Sequence, residues 1–399
     1  MRPHRVDLPG LRIALYGEFG IGNAGNDESA RSLTHLLRTR SVTDLTLITL
    51  AADQATKSVG LPALQFTASR SPATGSAVVN RAMRAVGKVS DFSRMIRLVG
   101  GFDGVIVAGT GLLEAPRGRY PGGDLIWLAM LSVACRIRRV PLAWFAIGGG
   151  HFASPISGRF AAVVARAAQI RSYRDTLTRD SLAQHGLNVK ADPVVTDVVF
   201  SRGDVTETPR NNAEPRQVAV GPIDMPAHLA SDGPDSYLER LAQLITRLHD
   251  RGVEVRLVLG DSADGAVAVE LLELLPMRKI RITSGPEFSD VLADLRDHAD
   301  VVVASRYHVL IAGMLTGVPT VALSHADKDE SLLRRMGQGR YLHSAAAFVP
   351  ESVERDIFTS HQNRSRIRAQ VATAIEQGRK SAEDELQRVL LYFQRRVRQ

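Results

Sequence analysis

Cysteine occurs once in the 399 residues, at Cys135. That excludes an intramolecular disulfide framework and any zinc site built on cysteine sulfur, since both need several. A reducing, cytoplasmic compartment is the expectation. Aromatic residues make up only 5%, little material for the stacking platforms that hold single-stranded nucleic acid. Lys plus Arg is 50 against 42 for Asp plus Glu, a net charge of 50 − 42 = +8; with few aromatics beside it, this excess favours anionic small molecules or an anionic membrane surface, and no nucleic-acid partner is expected. Long apolar runs are missing too. The densest, residues 140–147, is closed by Gly148, Gly149 and Gly150, far short of the roughly 18 to 20 residues that cross a bilayer. The apolar stretch 11–16 is too short for the core of a signal peptide and is expected to be a first strand.

What is present is an ordinary globular composition, 44% hydrophobic and 23% charged, over a length that suits two or three domains of about 150 residues. Short apolar, β-branched runs alternate with helical spacing, the pattern of a parallel sheet wrapped by helices. Strands are expected at 11–16, 45–50, 104–108, 141–147, 169–173 and 190–194, with helices near 28–38, 125–136, 160–168 and 177–185. The stretch 201–216, SRGDVTETPRNNAEPR, is almost devoid of apolar residues and reads as a linker. A second alternation follows, with strands at 217–220, 254–259, 279–283, 301–304 and 320–323 and helices near 236–251, 267–275, 288–297 and 307–316. Residues 365–398 form one long helical pattern. The expected division is an N-terminal Rossmann-like domain over 1–200, a linker over 201–216, a second Rossmann-like domain over 217–345 and a helical segment over 346–399, with a central cleft between the facing domains.

Four segments could carry chemistry. In GEFGIGNAGNDES, residues 17–29, Gly20, Gly22 and Gly25 satisfy GxGxxG after a strand and before a helix, where helix amides can receive an anion. A dinucleotide site would need an acidic residue about 20 positions on, at the end of the second strand. Asp44 instead begins that strand and Asp53 lies 28 residues beyond Gly25. The alternative is a structural turn with Asp27 as helix cap. VAGTGLLE, residues 107–114, places Gly109 and Gly111 at a strand's C-terminal end, and Gly148 to His151 repeat that arrangement. RSYRDTLTRDSL, residues 171–182, ends a strand on Arg174 and Asp175; a guanidinium there could grip phosphate or carboxylate, or simply pair with Asp175 or Asp180. In ADVVVASRYHVLIAGMLTGVPTVALSHADK, residues 299–328, an apolar strand runs into Arg306 and His308. A fixed cation two residues from a group titrating near neutrality suits proton transfer to an anionic substrate.

Taken together, Gly20 to Glu28 (with Gly22, Asn23, Asp27), Gly109 to Leu113, Arg174–Asp175, Arg306 to His308, Gly317 to Pro319 and Lys328 resemble, in order and spacing, the polysaccharide pyruvyl transferase family. Asn26 is inserted where the family's loop usually runs Gly-Asp-Glu, and Thr178 stands near its usual serine. The resemblance implies a GT-B-like fold and transfer of pyruvate from phosphoenolpyruvate to two sugar hydroxyls, as a ketal. It implies no cofactor beyond phosphoenolpyruvate as co-substrate, and no metal. On that basis Arg306 and His308 are the expected catalytic pair. Arg174, Asp175, Lys328, Gly22, Asn23, Asp27, Glu28, Gly109 and Gly111 are the expected binding residues. The acceptor would be a cell-surface polysaccharide or glycolipid sugar, lipid-linked acceptors placing the protein at the inner face of the plasma membrane. The basic tail RVLLYFQRRVRQ, residues 388–399, is either a membrane contact or a helix packed on its own protein. Two other classes stay open: a GT-B glycosyltransferase using a nucleotide sugar, for which no acidic residue stands out near His308, and a non-catalytic binding subunit.

Overall fold

The computed structural model describes residues 10–68, 77–113, 121–152, 154–202, 212–225, 236–275, 280–283 and 287–398, with backbone only for 77–86. The chain forms two compact units: the described residues of Met1–Ile21, Asn26–Arg202 and Lys380–Gln399 make the first, and those of Gly22–Gly25 and Gly203–Arg379 the second.

The first unit carries β1 (Arg12–Tyr16), β2 (Asp44–Thr49), β3 (Ala63–Gln65), β4 (Gly104–Val107), β5 (Leu142–Ile147) and β6 (Ile170–Tyr173). They form one sheet in the order β3-β2-β1-β4-β5-β6, every pair parallel. The second carries β7 (Gln217–Gly221), β8 (Glu254–Val258), β9 (Arg281–Thr283), β10 (Val301–Ala304), β11 (Thr320–Ser324) and β12 (Leu342–Ser344). Its order, β12-β11-β10-β7-β8-β9, is also wholly parallel. Crossover helices cover both faces of such a sheet, so the central strands are apolar without alternation. All six residues of β5, LAWFAI, and all four of β10, VVVA, are buried.

In β1, Ile13 and Leu15 face one core cluster and Ala14 and Tyr16 the other, as the period of two in a strand requires. The first cluster is completed by the end of the 34-residue helix Arg364–Val397, which brings Ala382, Leu386, Val389, Leu390 and Phe393 to the sheet at helical spacing. Its earlier residues Ile367, Val371 and Ile375 are buried too, and residues 364–379 belong to the second unit. Cys135 is buried, and burial pushes its thiol up to about 12, so it is no nucleophile at neutral pH.

Three local expectations change. The strand expected at 190–194 is one isolated bridge between Tyr173 and Val194. Pro193 has no N–H to give a ladder; its carbonyl accepts from Tyr173 N at 3.1 Å. The edge strands β3 and β12, three residues each, are too short to show a period. The tail region contains a separate helix, Pro350–Gln362, before the long one, the break falling at Asn363. Of the expected linker, residues 203–211 lie outside the described residues, as do Lys279 and Glu114.

Phe393 is fully buried, and a Cβ at Gly104 would come within 2.2 Å of its ring. Phe393→Ala should therefore cost about 3–5 kcal/mol of stability, read from urea denaturation. A loss under about 1 kcal/mol would mean that the helix end does not complete this core.

Candidate functional site

In a doubly wound sheet, ligands gather at the carboxyl ends of the strands where the order reverses. Here those points are β1/β4 in the first unit and β7/β10 in the second. The candidate residues fall on or beside these ends.

In the first unit the carboxylates of the glycine-rich loop turn inward. The helix Ala24–Arg38 is capped by Asn23, whose Oδ1 accepts from Gly25 N at 3.1 Å, and not by Asp27, the cap of the alternative reading. Asp27 lies in the first turn and holds Gly20 N at 2.8 Å. Gly20 has φ +75° and its Cβ position meets the backbone of Ala51 and Ala55, so no other residue fits without strain. Glu28 is fully buried and accepts from Arg202 at 2.5 Å, Ser32 at 3.3 Å and Arg31 at 3.4 Å. Both carboxylates are thus committed to the protein's own donors.

Arg174 and Asp175 follow β6. Asp175 caps the helix Thr176–Gln184 by accepting from Thr178 N at 2.7 Å, and Thr178 Oγ1 accepts from Gly149 N at 2.9 Å. The threonine that replaces the family's usual serine thereby ties this helix to the Gly148–Gly150 turn. Arg174 pairs with Asp197 at 3.4 Å and Asp175 at 3.7 Å, and its guanidinium lies against Gly148. The alternative pairing with Asp180 is not seen; Asp180 pairs with Arg179. With its side chain 4% exposed, Arg174 supports this turn from beneath. Gly109 sits at the end of β4, and Leu113 N donates to Gly148 O at 3.3 Å while Gly148 N donates to Thr110 O at 3.1 Å. Gly109 and Gly111 therefore belong to a loop laced to the Gly148–Gly150 turn. His151 is exposed just beyond it.

The second unit gathers Arg306, His308, Lys328, Gly22 and Asn23. Arg306 and His308 open the helix Tyr307–Leu315 directly after β10. The His308 ring stands edge-on to Tyr307 at 5.4 Å and to Phe288 at 6.5 Å, and Lys328 Nζ lies 5.9 Å from the Tyr307 ring centre. Gly25 faces His308: a Cβ there would fall 1.9 Å from Nδ1. Asn23 bridges Asp261, and Ser262 N donates to Gly22 O at 3.4 Å.

Sequence reasoning missed Asp264. It is fully buried at the start of the helix Asp264–Glu273, and takes the Nε edge of Arg306, with Nε–Oδ2 at 3.1 Å and a second bond from Nη2. A two-point pair of this kind fixes both position and plane of a guanidinium. The aliphatic part of Arg306 runs over Gly260, where a Cβ would lie 2.8 Å from Cγ. The signal was GDSADG, residues 260–265, an acidic glycine turn after an apolar strand like those singled out elsewhere. Behind Arg306, Tyr237 Oη and Ser305 Oγ are 2.9 Å apart, and burial pushes the phenol up to about 12, so it stays neutral. Among the described residues no cluster of three or more metal-ligating side chains occurs, and no helix is long and apolar enough to cross a membrane.

The class follows from the fold. Similar solved structures include UDP-GlcNAc 2-epimerase from Neisseria meningitidis bound to UDP-GlcNAc (10% identity, 95% of this chain and 99% of that one, TM-score 0.59). The glycosyltransferase SnogD from Streptomyces nogalater (15%, 95% and 100%, 0.56) and Anabaena Alr3699/HepE in complex with UDP and glucose (14%, 94% and 95%, 0.53) are others. Likeness at such identity shows the fold alone: two Rossmann-like units of the GT-B kind, with a long C-terminal helix. Within that class the family is set by sequence. The polysaccharide pyruvyl transferase model matches residues 23–327, most of the chain, and the chain belongs to that family of transferases. The match opens on Asn23, takes in Arg174, Arg306 and His308, and closes one residue before Lys328. No curated protein matches the sequence.

Burial raises the Asp264 carboxyl above the ordinary range, and the bonds from Arg306 offset this only in part. A carboxyl whose folded pKa exceeds its unfolded value adds nothing to stability once ionised, and the fold gains as pH drops through that interval. Replacing the pair together, Asp264→Asn with Arg306→Met, should therefore match the native protein within about 1 kcal/mol at neutral pH, as buried pairs often do when replaced by neutral groups. The native protein should gain on the variant as pH falls toward the ordinary carboxylate range, measured by denaturation across a pH series. A native protein that instead loses ground to the variant on acidification would show that the pair stabilises the fold.

Proposed function

We propose that this chain transfers pyruvate from phosphoenolpyruvate to two hydroxyls of a sugar in a cell-surface polysaccharide or glycolipid, forming a cyclic ketal and releasing phosphate. The observation that carries this reading is the Arg306–His308 pair at the carboxyl end of β10, in a chain that matches the family model from Asn23 to Asp327. Phosphoenolpyruvate presents a carboxylate and a phosphate on a three-carbon skeleton, so fixed cations are the first requirement. Asp264 takes the Nε and Nη2 donors of Arg306, and Nη1 is left to receive an anion. Lys328, beside Tyr307, supplies a second cation.

In the proposed reaction His308 delivers a proton to the methylene carbon, and cation character develops at the central carbon. A sugar hydroxyl adds there and returns a proton to His308. The bond from that carbon to the phosphate oxygen breaks, and a second hydroxyl closes the ketal, its proton leaving on the phosphate. A histidine suits both proton transfers because its two states are close in energy near neutral pH. Arg174, buried and paired with Asp197 and Asp175, is assigned a supporting role. No resident cofactor is invoked. A lipid-linked acceptor at the inner face of the membrane, with the protein cytoplasmic, completes the proposal.

A glycosyltransferase using a nucleotide sugar shares the fold. It needs an acidic group for the donor's ribose or sugar, and the acid that touches Arg306, Asp264, is already paired with it.

Calorimetry with phosphoenolpyruvate and a panel of nucleotide sugars separates the two. Saturable phosphoenolpyruvate binding, lost in Arg306→Ala, is expected; binding of a nucleotide sugar in its place would overturn the reading. With an acceptor in hand, His308→Ala should keep phosphoenolpyruvate binding but lose about 10²–10⁴ in turnover. Unchanged turnover would remove His308 from the chemistry. Gly25→Ala, which cannot leave the His308 ring where it is, should reproduce the turnover loss with the fold intact.

A further inference from the structure

A second concentration of positive charge lies at the opposite end of the first sheet. A cavity of about 210 Å³ opens at the amino ends of β5 and β6, beside Pro141 and Gln169, and is lined by Arg136, Arg139, Arg166 and Arg396. The six residues of β5 set it roughly 20 Å from the Gly148–Gly150 turn. No carboxylate lines it. Of the four guanidinium groups, only that of Arg166 has a hydrogen-bond acceptor among the described residues, Gly186 O at 2.8 Å.

Basic residues at helix C-termini have an ordinary explanation, since each terminus carries roughly half a negative charge. Three helices, Asp124–Arg138, Pro155–Ala165 and Arg364–Val397, do end here. Their dipoles supply about −1.5 against four positive charges, leaving a surplus of about +2.5 to be met from outside.

A separate observation names the partner. Each of the three helices carries an exposed aliphatic side chain within three residues of its arginine in the sequence: Val133 and Ile137 for Arg136, Val163 for Arg166, and Val397 for Arg396, all between 48% and 57% exposed. A soluble phosphate would neutralise the arginines and leave these side chains in water. A bilayer with anionic headgroups meets both, with phosphates at the cations and the headgroup–acyl boundary around the aliphatic groups. We propose that this face of the first unit docks on an anionic phospholipid surface, the four arginines holding lipid phosphates. The basic tail then acts as one of three contributors, through Arg396 and Val397.

The proposal is independent of the pyruvyl-transfer reading, because it is read without turnover. The full chain is sedimented with vesicles of phosphatidylcholine, with and without phosphatidylglycerol. Binding only to the anionic vesicles, weakened by salt, is expected. Arg136→Ala with Arg396→Ala should lower the partition coefficient about tenfold or more, and Val133→Ser with Ile137→Ser should weaken it as well, with unchanged thermal melts. Arg296→Ala with Arg334→Ala, which removes the same charge from the second unit, should bind like the native protein. No binding to anionic vesicles would overturn the proposal, as would an equal loss in that control. Displacement by millimolar inorganic phosphate with no effect of the serine substitutions would also overturn it, assigning the cavity to free phosphate.

Discussion

A parallel strand can be followed by another in the same sheet only through a crossover, and crossovers in proteins are right-handed. Both sheets are wholly parallel, and each reverses its direction of winding once, at β1/β4 and at β7/β10. At a reversal the two outgoing loops diverge, so backbone and side chains there lack the packing that fills the rest of each unit. Every segment singled out for chemistry is a loop leaving the carboxyl end of a strand. The fold class and the placement of candidate groups therefore share one cause.

Within the second unit, the placement of one guanidinium draws on several elements. Arg306 comes from β10, Asp264 from the helix after β8, and Gly260 from the turn between them. Glycine permits the arginine stem to lie against the turn, and the buried carboxylate fixes the plane of its head. Burying that carboxylate gains little stability, since desolvation raises its pKa more than the arginine lowers it. What the arrangement secures is the orientation of the guanidinium, fixed in position and plane.

The first unit treats its charges differently. Glu28 and Arg174, in motifs that look exposed in sequence, are closed inside by Arg202, Ser32 and Asp197. Charges so paired brace loops, and the backbone of the Gly109–Leu113 and Gly148–Gly150 turns is what remains at the strand ends. A cluster of cations of this unit lies at the other end of the sheet, around the cavity of Arg136 and Arg396.

Much was legible beforehand because it is local. Unbroken apolar runs such as VVVA and LAWFAI mark strands buried on both faces, and amphipathic spacing marks the helices between them; two doubly wound units follow. Arg306 and His308 were legible because they are neighbours in sequence at a strand end. Residues 190–194, expected as a strand, make a single bridge to Tyr173 and no ladder, and Pro193 accounts for that. What only the tertiary structure decided is which charges are spent. Asp264 lies 42 residues from Arg306 and Asp197 lies 23 from Arg174, and no spacing rule connects such pairs. Their meeting depends on the order in which strands align, a property of the whole sheet and of no single segment.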